Sequence, residues 1–326
     1  MPAAIRVHRT GGPEVLTYEE IATPLPAPGE VLLRQHACGV NYIDTYYRSG
    51  LYKAPSLPFI LGAEGAGEVV AIGEGVSEFK PGDRVAYAGA IGSYASERTY
   101  PANRLVPLPE AISYEQAAGM MLKGMTAQYL VRRTFKVSAG QTVLVHAAAG
   151  GVGLILCQWA KALGAMVIGT VGSEEKAALA RANGADHTIL YRSEDWVKRV
   201  ADITDGRKCD VVYDGVGKDT FPGSLDCLKP LGMWVSFGNA SGPVEPVPML
   251  LLSQKGSLFA TRPTLGTYVA ERADLLATAD DLFETVASGK VNIPVNQRYR
   301  LEDARKAHEE LEGRGTTGSS ILLPSS

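Results

Sequence analysis

Residues 143–153 read VLVHAAAGGVG, an apolar run that passes through a bend of small residues into glycines. β-Branched residues before the bend and helix formers after it read as a strand that turns at once into a helix. Relative to the dinucleotide fingerprint GxGxxG, Ala148 takes the first glycine position, and Gly150 and Gly153 take the other two. Gly150 lets backbone N–H groups approach a pyrophosphate at the positive helix end, and Gly153 lets helix and strand pack closely. A tight turn without a ligand would use the same glycines. What favours a dinucleotide is the context, an apolar strand before, a helix after, and a run of similar units downstream. Residues 143–160 carry no formal charge and are long enough to span a membrane. The glycines in their middle, with His146 and Gln158, argue for the strand and helix instead.

The units that follow repeat the rhythm: strands at 166–170, 187–191, 210–213 and 233–237, with helices over 174–183, 196–203 and 221–228 between them. Apolar strands alternating with amphipathic helices predict an α/β domain, a Rossmann-type doubly wound parallel sheet covered on both faces. The first 120 or so residues read differently, as a small all-β body of short strands at 30–35, 68–72 and 84–87 punctuated by Gly and Pro. Beyond about Arg262 come helices over 273–288 and 301–311 and a closing strand at 320–323. This piece is expected to return to the β-rich body. That places one domain over 1–122 and 263–326, another over 123–262, and a ligand-binding cleft between them.

Lys and Arg number 32 against 35 Asp and Glu, a net charge of −3. This lacks the basic excess of a nucleic-acid binder. Cys38, Cys157, Cys209 and Cys227 are scattered, with no CxxC pair, and the first residues show no secretory pattern. A reducing, cytoplasmic setting is expected.

The tip of the second strand decides between dinucleotides, because an acid there would bond the ribose 2′-hydroxyl of NAD. Thr170, Val171, Gly172 and Ser173 stand there instead, with Lys176 nearby. These small residues leave room for a 2′-phosphate, to which Ser173 could donate while capping the next helix. NADPH is therefore the expected cofactor, and Glu174 or Glu175 turned toward the ribose would weaken or reverse that preference.

Residues 140–161 (GQTVLVHAAAGGVGLILCQWAK) and 62–85 (GAEGAGEVVAIGEGVSEFKPGDRV) closely resemble the quinone oxidoreductase and ζ-crystallin branch of the medium-chain dehydrogenase/reductase superfamily. Residues 41–52, 122–126, 235–242 and 313–323 are similar to the bacterial NADPH quinone reductases, so the resemblance spans essentially the whole chain. It implies a β-rich GroES-like catalytic domain beside the dinucleotide domain. Where the superfamily's zinc enzymes carry a Cys and a His ligand, this chain has Asn41 and Ala63, which cannot replace a thiolate or imidazole. The expected enzyme is zinc-independent, with Cys38 a buried residue, Glu64 structural, and His146 a packed core group.

A quinone or related conjugated carbonyl suits such a site, since its carbonyls are already electrophilic and the cofactor supplies the reducing equivalent. Tyr42, Tyr46, Tyr47 and Tyr52 could form a flat pocket for it, although clustered tyrosines also serve as packing. The resemblance implies Asn41, Tyr46 and Tyr52 facing nicotinamide or substrate, and Lys123, Thr126 and Tyr129 near the cofactor. It also implies Gly151 and Val152 at the pyrophosphate, Ser173, Lys176 and Tyr191 at the adenosine phosphate, and Phe237, Gly238 and Asn239 at the nicotinamide half. Arg262 and Arg314 are placed at the rim, and a homodimer is joined through sheet edges, with 256–261 a plausible edge strand. Two alternatives stay open: an enal or enone reductase, and a non-catalytic NADPH-binding protein of crystallin-like or RNA-binding type.

Overall fold

A computed structural model of the chain describes residues 1–324. It divides into two compact units, one comprising Met1–Met125, Tyr268–Ala287 and the chain from Ile293, the other Thr126–Thr267 with Ser288–Asn292.

The second unit is built on a six-stranded parallel sheet. Its spatial order is His187–Leu190, Met166–Val171, Thr142–Val145, Cys209–Asp214, Leu228–Ser236 and Phe259–Thr261. In chain order the strands run 3-2-1-4-5-6, so the direction of winding reverses between the first and the fourth, the place where such sheets bind ligands. Leu144, Ile168, Ile189 and Val212 from four neighbouring strands pack with Val200, Leu225 and Trp234 into one buried cluster. Local signals start the helices: the Ser173 hydroxyl accepts from Lys176 N ahead of Glu174–Ala182, and the Asp195 carboxylate accepts from Lys198 N ahead of Trp196–Ile203. The helix expected over 221–228 shrinks to Gly223–Asp226, because Pro222 stands at its N-cap and the next strand already begins at Leu228.

The first unit holds a sheet ordered Val295–Arg300, Ser319–Leu323, Glu30–Val40, Glu64–Ile72, Arg84–Ala88 and Val106–Pro107, with Glu97–Pro101 also paired to Glu30–Val40. A smaller sheet joins Leu16–Glu20, Ala3–Val7 and Phe59–Ile60. The expectation of an all-β body over the first 120 residues is corrected by two helices, Tyr42–Ser49 and Tyr114–Tyr129. The first is started by Asp44, whose carboxylate accepts the Asn41 N–H at 2.8 Å, and ended by Gly50 at φ 85°. The second opens on a reciprocal capping box between Ser113 and Gln116, each side chain bonding the other's backbone N–H at 3.1 Å.

The strand expected at 68–72 begins four residues earlier. Its glycines permit a close backbone approach rather than breaking the strand, since a Cβ at Gly67 would lie 2.1 Å from the Arg34 carbonyl oxygen. Among the described residues no helix is long and apolar enough to cross a membrane.

Candidate functional site

The glycine bend of the second unit closes on itself. Ala147 takes φ 53°, its carbonyl accepts Gly150 N at 2.9 Å, and the Gly151–Ala162 helix starts with no side chain capping it. The first-turn N–H groups of that helix are therefore left to a ligand or to water. A Cβ on Gly153 would sit 2.3 Å from the Ala147 carbonyl oxygen, so glycine is required there by close packing. Ala148 in the first fingerprint position is accommodated by the neighbouring strand: a Cβ on Gly169 would lie 2.6 Å from that of Ala148. The methyl missing from one strand makes room for the methyl gained in the bend.

Residues at the carboxyl ends of the other strands complete the arrangement. Beyond Met166–Val171, a Cβ on Gly172 would meet the Tyr191 hydroxyl at 2.8 Å and Arg192 Nε at 3.5 Å. This brings Gly172, Ser173, Tyr191 and Arg192 to two adjacent strand tips. The Ser173 hydroxyl accepts from Lys176 N at 3.3 Å and keeps its own proton to donate. Glu174 and Glu175 are exposed in the first turn of the helix, where its dipole favours acidic side chains. Beyond Leu228–Ser236, Phe237 packs over Gly215, and a Cβ on Gly238 would come within 2.4 Å of the Gly215 carbonyl oxygen. Beyond Phe259–Thr261, Arg262 donates to Ser236 Oγ at 3.0 Å and to the Gly238 carbonyl at 2.8 Å, fixing the loop that carries Asn239. Arg192 was not singled out from the sequence; its one legible signal is a cation directly after Tyr191.

A second constellation lies in the first unit, with Glu64 at its hub. Wholly buried, Glu64 accepts from Asn41 Nδ2 at 2.8 Å and Lys123 Nζ at 2.7 Å on Oε1, and from Leu122 N at 2.6 Å on Oε2. Gly39 opens the space, since a Cβ there would fall 2.2 Å from both Glu64 Oε1 and the Ala118 carbonyl oxygen. Tyr46 and Tyr52 meet edge to face with ring centroids 5.2 Å apart, and Tyr47 approaches Tyr52 at 5.8 Å. Tyr42 differs, its hydroxyl donating to the Leu311 carbonyl at 3.0 Å. Thr126 and Tyr129, which belong to the second unit, are buried on the Tyr114–Tyr129 helix, and Arg314, in the first, stands at φ 58° on the exposed turn after Ala304–Glu312.

Asp44 extends this constellation. Its Oδ2 accepts both Asn41 N and the Tyr94 hydroxyl at 2.8 Å, while Oδ1 is buried without a partner. Burial drives its pKa up to about 7, against the hydrogen bonds from Tyr94 and Asn41 that favour the charged form. Tyr94 Oη also meets His308 Nε2 at 3.1 Å, and His308 Nδ1 accepts from Arg48 Nη1 at 2.9 Å. Burial, with the Arg48 charge, pushes His308 down to about 3.

His146 is buried between Thr170 Oγ1 and Ser224 Oγ at 2.9 and 3.2 Å, a hydrogen-bonded core group. The buried Cys38 thiol donates to the Ser93 carbonyl at 2.7 Å, and burial pushes it up to about 12. Asn41 offers an amide already bonded to the Glu64 carboxylate, and the Cys38 thiol is protonated and committed to the Ser93 carbonyl, a donor set that does not fit zinc. Among the described residues no group of three or more His, Cys, Asp or Glu could hold a metal ion.

Residues 27–134 match the alcohol dehydrogenase GroES-like domain, and residues 151–284 match the zinc-binding dehydrogenase family. A quinone oxidoreductase of Pseudomonas aeruginosa is 56% identical over 99% of this chain and 100% of its own length. A 2-haloacrylate reductase of Burkholderia is 44% identical over 99% of each. The crystal structure of Escherichia coli quinone oxidoreductase complexed with NADPH superposes with a TM-score of 0.97 at 51% identity, covering 99% of this chain and 100% of that one. Fold, paired domains and full-length similarity agree: the chain belongs to the quinone oxidoreductase branch of the medium-chain dehydrogenase/reductase superfamily.

Proposed function

We propose that this protein is an NADPH-dependent quinone reductase, a cytoplasmic homodimer that takes a small conjugated carbonyl and neither nucleic acid nor membrane as its partner. The observation that carries the reading is the convergence at the strand ends of an uncapped helix start, a carboxylate-free tip at Gly172 and Ser173, and the Tyr191–Arg192 pair. In this reading dinucleotide binding belongs to residues 123–262 and acceptor chemistry to 1–122 and 263–326. Gly150, Gly151, Val152 and Gly153 receive the pyrophosphate on backbone N–H groups. Gly172, Ser173, Lys176 and Tyr191, joined by Arg192, receive the 2′-phosphate through charge-assisted hydrogen bonds. Phe237, Gly238, Asn239 and Arg262 take the nicotinamide half, with Lys123, Thr126, Tyr129 and Arg314 completing the cofactor's surroundings.

Bound NADPH supplies the hydride. The chain orients the acceptor on the Tyr46 and Tyr52 rings, excludes water, and offers Asn41 to the oxygen that becomes negative. For the homodimer, the edge strand Phe259–Thr261 carries Phe259 57% exposed, and Leu231, Met249 and Leu250 in the same unit are exposed by 66 to 78%. So much exposed apolar surface calls for a cover.

A second reading, reduction of a conjugated carbon–carbon double bond, is favoured by the 44% identity to a 2-haloacrylate reductase. Stopped-flow oxidation of NADPH against a panel of quinones, enals and 2-haloacrylates separates the two. Turnover with quinones alone supports the first and with conjugated acids or aldehydes alone the second. Tight NADPH binding with no turnover refutes both and leaves a binding protein.

A further inference from the structure

The Glu64 carboxylate, wholly buried, is bonded by the side chain of Asn41, assigned above to the acceptor, and by that of Lys123, assigned above to the cofactor's surroundings. Its Oε1 holds Asn41 Nδ2 at 2.8 Å and Lys123 Nζ at 2.7 Å, and Oε2 is anchored on Leu122 N at 2.6 Å. Lys123 and Asn41 are each only 6% exposed. Among the described residues Glu64 is the acceptor that the Lys123 ammonium bonds, and an ammonium has three N–H groups, so two remain to give.

We propose that Glu64 is a positioning residue whose single carboxylate fixes both the Asn41 amide and the buried Lys123 ammonium in place, making Lys123 a catalytic donor to the acceptor oxygen. The inference rests on the proposed reading of the site as an acceptor site. The two opposite charges stand 2.7 Å apart, and removing either would leave the other buried and uncompensated. In the reaction the acceptor gains a hydride, one of its oxygens becomes negative, and a proton from water finally neutralises it. A cationic N–H held in a water-poor site stabilises that oxygen with no proton of its own lost. Gly39 is part of the device, because any larger residue would occupy the carboxylate's place.

The other groups that sense this charge are named by the fold. Asp44, on the Tyr42–Ser49 helix, feels both Glu64 and Lys123; Tyr94 and Cys38 feel Glu64 and Asp44; and Arg98 faces Cys38. Asp44 adds negative charge as pH rises and so supports the ammonium, whereas Cys38 and Tyr94 stay protonated under burial.

The test compares Glu64→Gln, Lys123→Met and Lys123→Arg in the full-length protein, with near-UV circular dichroism as the check on folding. With 1,4-benzoquinone as acceptor, Lys123→Met is expected to lower kcat about 100-fold, the scale of a lost oxyanion donor. Lys123→Arg should recover part of this, and the loss of kcat should exceed any loss of NADPH affinity, because Lys123 also borders the cofactor. Glu64→Gln should lower kcat at least tenfold, because neither the Asn41 amide nor the Lys123 ammonium is then held by a carboxylate.

Without any acceptor, the 13C resonance of the Lys123 ε-carbon, assigned by its loss in Lys123→Met, should be narrow in wild type and shifted and broadened in Glu64→Gln as the side chain loses its anchor. That NMR readout survives even if quinones are not the substrate. A wild type inert to quinones with the NMR shift intact refutes the function and retains Glu64's hold on the ammonium. Folded variants with wild-type turnover and an unchanged ε-carbon resonance overturn the inference. So does a loss confined to NADPH affinity, which would make Glu64 and Lys123 cofactor-binding groups only.

Discussion

Asp44→Asn should stabilise the protein, and increasingly so as pH rises. Asn matches the shape of the protonated carboxyl and can still accept Asn41 N–H and the Tyr94 hydroxyl through its oxygen, so the substitution removes little except the charge. In the folded protein burial lifts Asp44 from the ordinary 3.8 to about 7, consistent with an Oδ1 that has no partner to satisfy a negative charge. A folded-state pKa raised above the unfolded one gives stability that is complete below the unfolded value and is lost as pH climbs through the folded value. Between those limits wild type loses about 1.4 kcal/mol per pH unit relative to the variant, or about 4 kcal/mol across the whole window.

His308 runs the other way. Its pKa is depressed to about 3, so its contribution is present above the ordinary 6.5 and lost as pH falls, and in wild type the two slopes offset each other between about pH 4 and 6.5. Because His308 is unchanged in the variant, the difference between the two proteins isolates Asp44. The three tryptophans, Trp159, Trp196 and Trp234, all belong to the second unit, so their fluorescence reports on the wrong part of the molecule. Native-state hydrogen exchange on amides of Glu30–Val40 and Tyr42–Ser49, measured from pH 5 to 8 and corrected for intrinsic rates, reads the right one. A difference that is flat or falls over that range refutes the reasoning and means that Asp44 ionises in the folded state as readily as in water.

Gly39→Ala, with its new methyl 2.2 Å from Glu64 Oε1 and the Ala118 carbonyl oxygen, should cost about 1–3 kcal/mol by overpacking and lower kcat, while calorimetry still finds NADPH binding. Arg192→Ala should weaken NADPH about 10- to 100-fold, the worth of a charge-assisted contact, and leave NADH unchanged; equal losses for both coenzymes would place Arg192 elsewhere. Gly153→Ala forces a methyl within 2.3 Å of the Ala147 carbonyl oxygen, so titration calorimetry should show both coenzymes lost together, and wild-type affinity would contradict the packing argument. Tyr52→Phe keeps the ring against Tyr46 and removes only the hydroxyl, so it should leave KM for quinones nearly unchanged if stacking is the role, as steady-state kinetics will read.

The parallel sheet was legible because its strands are continuous apolar runs buried on both faces, separated by helices with ordinary caps such as Ser173 and Asp195. The Tyr42–Ser49 helix was not, since its three tyrosines resemble a strand or a packing patch, and the cap that starts it is one carboxylate. Individual positions at the strand ends could be named from the fingerprint and the family resemblance. What neither could supply was compensation at a distance: Gly169 making room for Ala148, or Gly39 for Glu64. Glu64 read as structural because its partners stand 23 and 59 residues away, and no local spacing announces a carboxylate shared between an amide and an ammonium.

The pairing of Ser319–Leu323 with Glu30–Val40 sets an order of maturation. Ser320, Ile321 and Leu322 lie against Val40, Gly39 and Cys38, the end of the strand that leads directly into Asn41. During synthesis the six parallel strands of the second unit are all available once Thr261 has left the ribosome, whereas this stretch before Asn41 waits with an open edge for a neighbour made almost a whole chain later. A nascent or truncated chain can therefore own all six parallel strands while the sheet of the first unit still lacks its Ser319–Leu323 neighbour. A chaperone seeking an unprotected strand would find it there.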